Sequence, residues 1–313
     1  MKAHRLMTLA GVGGVGKTRL ALEVAERSAP SFPDGVWVIE LAPVGDPTAV
    51  PDAMAAVLGI THQQGMSFAS SVAPALEGRW RLLVFDNCEH VLDAAADMIE
   101  AILAHSATVR IPATSREGLR VADEQLWPVP SLDVLSGVDS AAATLFMQRA
   151  AAVAPRISLA GAEAGAVVGL CSRLNGIPLA IELAASRMQS MTVTELRDRL
   201  DDRFRPLVGL RRGLERHHTL RHAVAWSYDL LDDTEKTLLA RCSVFAGGFD
   251  LAAACAVGGC GDDLATLDVL DALVRKSLLV ADRSSGRTRF SMLETIRQFA
   301  EEQLVASGSP ESY

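Results

Sequence analysis

Near its amino terminus the chain carries a glycine-rich turn followed by a lysine and a threonine. The run fits the phosphate-binding pattern GxxxxGK[ST] at every specified position. Its residues are Gly11, Val12, Gly13, Gly14, Val15, Gly16, Lys17 and Thr18. Glycines let consecutive backbone N–H groups curl around phosphate oxygens, and a following helix directs its N-terminal dipole at the same charge. We expect Lys17 to reach the β- and γ-phosphates and the Thr18 hydroxyl to bind Mg²⁺, so the pattern predicts nucleotide binding.

The residues on either side of this turn supply the context that the motif requires. The preceding residues 5–10 are mostly apolar and predict a strand. After the turn, apolar side chains recur at helical spacing between Leu20 and Ala25, and Arg19 begins the polar face of the same helix. We include Arg19 among the candidate nucleotide-binding residues because it directly follows the motif.

The same glycines allow a second interpretation. The spacing from Gly11 through Gly13 to Gly16 is also the GxGxxG fingerprint of dinucleotide-binding folds, and Glu40 at the end of the next predicted strand could hold a ribose. GxGxxG alone is weak evidence, and Lys17 and Thr18 have no role in that scheme. A glycine-rich turn without any ligand is a third interpretation.

A second group of residues supports the nucleotide hypothesis. Residues 81–86 form an apolar run that ends in Asp86, and an aspartate at such a strand end can hold Mg²⁺ beside a phosphate-binding loop. The predicted strand 108–114 is followed by Arg116, which could sense a γ-phosphate. We therefore assign Lys17, Asp86 and Arg116 as the candidate catalytic residues and Thr18 and Asp86 as the metal ligands.

Composition limits the classes of protein that fit. The 313 residues are enough for two or three domains, and the net charge of −8 argues against a surface that grips nucleic acid throughout. Six arginines and three histidines nevertheless cluster between Arg203 and His222, where they could meet phosphates or form a solvated linker. No apolar run approaches the roughly 18–20 residues of a membrane span, and five scattered cysteines suggest reduced thiols. We expect a cytoplasmic protein without a membrane partner.

The periodicity of the chain changes near residue 132. Before it, short apolar strands alternate with helices, which predicts a parallel α/β sheet. Strands are predicted at 5–10, 36–41, 81–86, 108–114 and 125–129, and helices at 18–29, 48–58, 67–76 and 90–105. Helices then follow at 139–153, 162–174, 178–189 and 193–200, a connector at 203–218, and helices at 219–230, 233–245 and 263–276. Two strands, 278–282 and 288–291, and a last helix complete a winged-helix outline.

Several motifs in this order resemble one family. They are GVGGVGKTRLA at 11–21, LLVFDNCEH at 82–90, ATSRE at 113–117 and NGIPLAIELAA at 175–185. The chain resembles the NB-ARC branch of the STAND ATPases, in particular the ATPase core of bacterial LuxR-type and antibiotic-regulatory transcription factors. The resemblance implies a P-loop NTPase domain (1–132), a helical ARC-like domain (133–210) and a winged-helix domain (211–313) that close around one ATP or ADP.

The resemblance also implies a function and further site residues. In that family ADP locks a resting form, and exchange for ATP opens it for signalling or self-assembly. Pro178, in the Gly176–Pro178 turn, is implied to pack near the adenine. Asn87 stands where many relatives place an acidic base, so we expect slow hydrolysis; Glu89 could substitute only if the strand end curls. Pro112 predicts an edge or a bulge in the strand that leads to Arg116.

We therefore interpret the chain as a nucleotide-dependent regulatory switch with weak ATPase activity, which acts with a protein partner or by self-assembly. One alternative is a winged-helix transcription factor that contacts DNA through the basic stretch. Another is a scaffold that no longer binds nucleotide, because the family segment that helps to hold adenine and ribose is expected upstream of residue 1. A small-molecule kinase is a further alternative, for which the sequence shows no substrate pocket.

Overall fold

Five strands that the alternating pattern predicts form one parallel sheet. They are β1 (Leu6–Ala10), β2 (Val36–Glu40), β3 (Leu82–Asp86), β4 (Ile111–Ser115) and β5 (Gln125–Pro128). Their order in the sheet is β2-β3-β4-β1-β5. Parallel strands all end at one edge of a sheet, so the carboxyl ends of β1, β4 and β3 are neighbours. The residues predicted to act on phosphate and its metal lie at or just after these three ends.

The computed structural model describes residues 4–59, 76–154, 162–204, 212–258, 263–284 and 286–307. The chain divides into two units, one of Met1–Val12 with Gly16–Pro130 and the other of Gly13–Val15 with Ser131–Tyr313. The sheet belongs to the first unit, together with α1 (Lys17–Ser28), α2 (Val50–Leu58) and α3 (Leu92–His105). The helix predicted at 67–76 lies outside the described residues, apart from residue 76.

Strand β3 is buried on both faces, which explains its uninterrupted apolar sequence. Leu83 and Phe85 pack into the larger core cluster with Ile99 of α3, whereas Leu82 and Val84 pack on the opposite face, where α1 lies. All four β3 side chains are fully buried. A strand that is covered on both faces of the sheet has a continuous apolar sequence, because the side chains on each face are shielded from water. The core thus fixes the strand whose last residue is Asp86.

Pro112 lies in β4, in the interior of the sheet, where we expected an edge or a bulge. That prediction is wrong, because β4 pairs with β1 in regular register and has β3 on its other side. The N–H of Arg110 donates to Arg81 on the β3 side, and the N–H of Ile111 donates to Arg5 on the β1 side. The N–H groups of successive residues point alternately to the two neighbouring strands, so an N–H at position 112 would point toward β3. Pro112 has no N–H, and the missing hydrogen bond is therefore on the β3 side alone.

The second unit is helical and ends in a small antiparallel hairpin. Its helices are α4 (Ala141–Val153), α5 (Ala162–Arg173), α6 (Pro178–Ser186), α7 (Val193–Phe204), α8 (Arg212–Asp229), α9 (Asp233–Cys242), α10 (Leu251–Gly258), α11 (Asp263–Arg275) and α12 (Glu294–Ala306). Strands β6 (Val280–Asp282) and β7 (Arg289–Ser291) pair between α11 and α12. One apolar cluster runs through this unit from Ala142 to Ala300. The predicted fold class, a parallel P-loop-type sheet followed by helices and a winged helix, is confirmed.

Two elements of the second unit differ from the sequence prediction. We predicted a connector at 203–218, but α8 already begins at Arg212, because arginine, leucine and glutamate are good helix formers whatever their charge. Residues 205–211 lie outside the described residues. Helix α10 was not predicted, since its alanine-rich sequence has no polar face that would reveal a helical period.

Candidate functional site

The glycine-rich turn carries the chain from the end of β1 into α1, whose first residue is Lys17. Gly14 and Gly16 have φ angles of 72° and 95°, in the left-handed region that favours glycine. A Cβ built at Gly16 would meet no atom within 4 Å, so that residue is glycine for its backbone conformation. A turn of this kind immediately before a helix N-terminus is the backbone arrangement that phosphate binding requires.

The Lys17 ammonium is held by the carbonyl groups of its own loop. Its Nζ donates to the carbonyl oxygens of Gly11 and Val12, at 2.9 and 3.2 Å, and the residue is 8% exposed. Burial lowers the pKa of Lys17, the charge of Glu89 opposes that effect, Arg116 lowers the pKa further, and Asp86 raises it. Phosphate oxygens are stronger acceptors than these carbonyls, so a phosphate bound in the turn could replace them as the hydrogen-bond partner of Lys17.

Asp86 receives two hydroxyl donors from different segments of the first unit. Thr18 Oγ1 donates to Asp86 Oδ1 at 2.8 Å, and Thr114 Oγ1 donates to the same oxygen at 2.6 Å. The predicted pair of metal ligands, Thr18 and Asp86, is thus brought into contact. A hydroxyl and a carboxylate are the hard oxygen ligands that Mg²⁺ prefers, so this donor set fits the metal that the sequence implies.

Thr114 is a site residue that the sequence analysis did not assign. It is buried near the end of β4, and its Oγ1 also accepts a hydrogen bond from the N–H of Asn87 at 2.9 Å. One side chain therefore fixes both the Asp86 carboxylate and the start of the turn that follows it. The sequence signal for this role is the position of Thr114, a hydroxyl residue just before the end of the strand that leads to Arg116.

The chain curls directly after β3. Asn87 has a φ of 63°, and Cys88–His90 form a single 3₁₀ turn. This turn brings Glu89 to Arg116, whose Nε donates to Glu89 Oε1 at 3.2 Å. The predicted sensor arginine therefore lies in an ion pair with the carboxylate that we considered a substitute base, and the curl that this role needed is present.

The remaining predicted residues occupy less distinctive positions. Arg19 is exposed on the first turn of α1, and Val15 is buried within the glycine-rich turn. Gly13 belongs to the same turn and is half-buried. Pro178 is the first residue of α6 in the second unit, where a proline is well accommodated because that helix position needs no N–H donor. Its predicted role near an adenine stays a prediction.

The sheet order contradicts the dinucleotide interpretation. In that scheme the acid that binds ribose follows the strand beside β1, as Glu40 would if β2 lay there. Instead, β2 is separated from β1 by both β3 and β4. Glu40 pairs in register with Asp86 on the neighbouring strand. The order of strands therefore places Asp86 between Glu40 and the glycine-rich turn that follows β1.

The described part of the chain carries few features of other kinds of site. Within it, no group of three or more histidine, cysteine, aspartate or glutamate side chains is placed to hold a metal. None of the described helices is both long enough and apolar enough to cross a membrane. Cys88, Cys171 and Cys242 are buried free thiols, and burial raises the pKa of Cys171 and Cys242 to about 12.

Part of the chain matches a known domain family, and nearly the whole chain matches part of a longer protein. Residues 231–305 match the family described as a winged helix-turn-helix domain. The chain is 45% identical over 308 residues to the "Putative HTH-type transcriptional regulator Rv0890c" of Mycobacterium tuberculosis, which covers 97% of this chain and 34% of that protein. The chain thus spans about a third of the length of that relative.

A solved structure with the same fold covers nearly the whole chain. It is that of a Signal Transduction ATPase with Numerous Domains (STAND) protein with a tetratricopeptide repeat sensor from Pyrococcus horikoshii. The TM-score is 0.58 at 13% sequence identity, over 98% of this chain and 44% of that one. At this identity the likeness shows the fold.

A relative of similar length identifies the family. "Uncharacterized protein Rv0894" of Mycobacterium tuberculosis is 38% identical over 312 residues, which cover 98% of this chain and 78% of that protein. Identity at this level over most of both chains means that they share one fold and one ancestry. The chain therefore belongs to the same family as Rv0894.

Proposed function

We propose that this protein is an ATP/ADP-dependent regulatory switch with slow ATPase activity. The observation that carries the proposal is the hydrogen bond of 2.8 Å between Thr18 and Asp86. It joins the helix that follows the glycine-rich turn to the strand end predicted to hold a metal. A phosphate-binding turn and a magnesium-binding pair in contact are the two parts that a nucleotide site needs.

Each candidate residue has a definite task in this proposal. The backbone from Gly11 to Gly16 cradles the phosphates, and Lys17 leaves its two loop carbonyls to bind the β- and γ-phosphates. Thr18 and Asp86 hold Mg²⁺, which when bound neutralises phosphate charge. Arg116 responds to the γ-phosphate, and Pro178 contributes to the binding of the adenine. Nothing in the described side chains reads the edge of the base, so the preference for adenine rests on the family resemblance.

The regulatory role is supported by the relatives and by the resemblance to the NB-ARC type of STAND ATPase. Rv0890c carries the name of an HTH-type transcriptional regulator, and the similar archaeal structure carries the name of a signal-transduction ATPase. We propose that ADP holds a resting form and that exchange for ATP allows a protein partner, or another copy, to bind. In this proposal the switch consists of an NTPase domain (1–132), a helical domain (133–210) and a winged-helix domain (211–313).

Contact with DNA is the second candidate function, because 231–305 match a winged helix-turn-helix domain. In DNA-reading domains of this type the second helix of the motif enters the major groove, and that helix is α11 here. Its exposed side chains are mostly acidic or apolar; they are Asp263, Leu264, Ala265, Leu267, Asp268, Asp271 and Arg275. Arg275 is paired with Asp271. Three exposed carboxylates would repel phosphates, so we favour a protein partner for this surface.

The basic stretch 203–222 is the other feature on which the DNA alternative depends. Within it the structure describes the side chains of Leu220, Arg221 and His222, while the other basic side chains lie outside the described part. Arg221 forms an ion pair with Glu302 of α12. One of the six arginines is therefore already engaged by a carboxylate.

Direct titration tests the proposed function. Nucleotide-free protein is titrated with ATP, ADP and GTP, each with and without Mg²⁺, and phosphate release is then followed under saturating ATP. We expect Mg²⁺-dependent binding of ATP and ADP and turnover well below the roughly 1–10³ s⁻¹ of typical enzymes. Failure to bind either adenine nucleotide would favour the scaffold alternative.

A further inference from the structure

The carboxylate of Glu89 lies among the charged groups that the proposed function uses. Its Oε1 accepts a hydrogen bond from Arg116, and its charge is the largest ionic influence on the pKa of Lys17, ahead of Arg116 and Asp86. The side chain is 12% exposed. A nearly buried carboxylate that is paired with the candidate sensor Arg116 and influences the candidate phosphate-binding Lys17 is itself a candidate for a functional role.

The second oxygen of this carboxylate has no donor. Among the described residues, Glu89 Oε2 is buried and makes no hydrogen bond. Buried acceptors without a partner are rare in native proteins, because each loses its hydration without compensation. The free oxygen is therefore an acceptor that is ready for a proton donor delivered with a ligand.

Asn87 lacks the chemistry for the same task. Its backbone has left-handed geometry, its N–H is bound to Thr114 Oγ1, and its Nδ2 is buried without a partner in the described part of the chain. A carboxamide cannot take up a proton at neutral pH. If water is to be activated here, the group that can accept its proton is the carboxylate two residues further on.

We propose that Glu89 is the catalytic carboxylate for hydrolysis of the γ-phosphate, an inference that rests on the proposed function. A water molecule gives one proton to Glu89 Oε2 as its oxygen forms a bond to the γ-phosphorus. The bond from that phosphorus to the bridging oxygen breaks, and its electron pair leaves with ADP. The products are ADP and inorganic phosphate, and Glu89 then releases the proton to solvent. Arg116 holds Oε1, so that Oε2 faces the reacting water.

The Glu89→Gln variant tests this role, because glutamine keeps the acceptor for Arg116 and loses the basic oxygen. We expect single-turnover hydrolysis to fall by about 10²–10⁴-fold. Two further readouts accompany the rate: one is independent of hydrolysis, and the other identifies the bound nucleotide that hydrolysis leaves. Affinity for a non-hydrolysable ATP analogue should be kept or increase, because a negative charge near the γ-phosphate is removed. Chromatography of the nucleotide bound after incubation with Mg²⁺ and ATP should show ATP in the variant where the wild type shows ADP.

A matched control is Glu117→Gln, which removes an exposed carboxylate that pairs with Arg120 after the same strand. It should hydrolyse ATP like the wild type. If Glu89→Gln binds the analogue and hydrolyses ATP at the wild-type rate, Glu89 only holds Arg116 and the inference is overturned.

A second variant covers the case in which Glu89→Gln fails to fold. Glu89→Asp keeps the charge but withdraws the carboxylate by one methylene, and we expect it to bind the analogue with at least a tenfold loss of hydrolysis. Unchanged hydrolysis in Glu89→Asp would overturn the inference. A wild-type protein that does not bind the analogue would refute the proposed function itself, whereas normal binding with unaffected variants refutes the role of Glu89 alone.

Discussion

Each unit of the chain holds a cluster of charged side chains, and the two clusters differ in how they are held. In the first unit, Lys17, Asp86, Glu89 and Arg116 lie at or just after strand ends, next to left-handed backbone at Gly16 and Asn87. In the second unit, Arg187 and Glu235 are buried in a helical core and have partners from other segments. Similar residue types thus occur in two very different settings.

The cluster of the second unit is built into helix ends and packing. Arg187 Nη2 donates to the carbonyl oxygen of Ser227 at 2.7 Å, and its guanidinium lies 5.9 Å from the Trp226 ring. Burial lowers the pKa of Arg187 to about 10, and Glu235 opposes that effect. Glu235 also forms an ion pair with Lys276 and completes a capping box at the start of α9. We interpret these charges as structural.

The comparison shows that burial alone does not mark a functional charge. The first cluster is distinguished by left-handed backbone at the carboxyl edge of a parallel sheet, by a lysine bound to its own loop, and by a buried carboxylate oxygen without a donor. These are features that a ligand can relieve. In the second cluster Arg187 Nε is also buried without an acceptor among the described residues, but Arg187 Nη2 is bound to the Ser227 carbonyl and Glu235 to Lys276 and to the start of α9.

The largest expected effect is on stability in the second unit. Glu235→Ala removes the carboxylate that pairs with Lys276 and caps α9, so it leaves two cations without their anion. Because Glu235 is 6% exposed, we expect the free energy of unfolding to fall by about 3 kcal/mol. Urea unfolding followed by circular dichroism measures this loss. A change below about 1 kcal/mol would place this cluster with ordinary surface charges.

The next effect is on binding in the first unit. Lys17→Ala removes charge-assisted hydrogen bonds to phosphate worth roughly 1.5–3 kcal/mol, so affinity for ATP should fall about 10–150-fold. The urea midpoint should stay near the wild-type value, since the ammonium binds only its own loop. Equilibrium dialysis with labelled ATP measures the affinity. Loss of folding instead of binding would mean that Lys17 is structural, like Arg187.

A smaller effect separates metal from phosphate binding. Asp86→Asn keeps an acceptor for Thr18 and Thr114 but loses the charge that attracts Mg²⁺. We expect the gain in ATP affinity on adding Mg²⁺ to shrink by about tenfold, which corresponds to roughly 1.4 kcal/mol. Asp93→Asn, in the first turn of α3, is the control. Equal losses with and without the metal would argue against Asp86 as a metal ligand.

The smallest effect is expected for an exposed ion pair. Arg221 donates two hydrogen bonds to Glu302, at 2.9 and 2.5 Å, but the two side chains are 57% and 48% exposed. Water screens such a pair, so Glu302→Ala should cost at most about 1 kcal/mol of unfolding free energy. The same urea experiment measures it, and a loss as large as that of Glu235→Ala would remove the contrast between buried and exposed pairs.

The contiguous parts of the candidate site could be read from the sequence. The glycine-rich turn and Asp86 depend on short motifs whose neighbouring strand and helix have clear periodicity. The contacts of Thr114 with Asp86 and of Glu89 with Arg116 join segments 27 or 28 residues apart. These contacts depend on which strands are neighbours in the sheet and on the left-handed backbone at Asn87. Neither can be predicted from the residue pattern within one segment.

The errors in the fold prediction have similar causes. We predicted the effect of Pro112 from the hydrogen bonds of a single strand. In the sheet its missing donor affects only one side of β4, and the strand keeps its regular pairing with β1. The start of α8 was hidden by its charge, which we interpreted as a linker, and α10 by its uniform apolar sequence. Tertiary packing decides each of these cases.

The most direct test of a nucleotide switch is to identify what the purified protein carries. The protein is denatured and the released small molecules are separated by chromatography, with Lys17→Ala prepared in parallel. We predict near-stoichiometric ADP from the wild type and little from the variant. A wild-type protein that carries no nucleotide, and that remains empty after incubation with ATP and Mg²⁺, would contradict it.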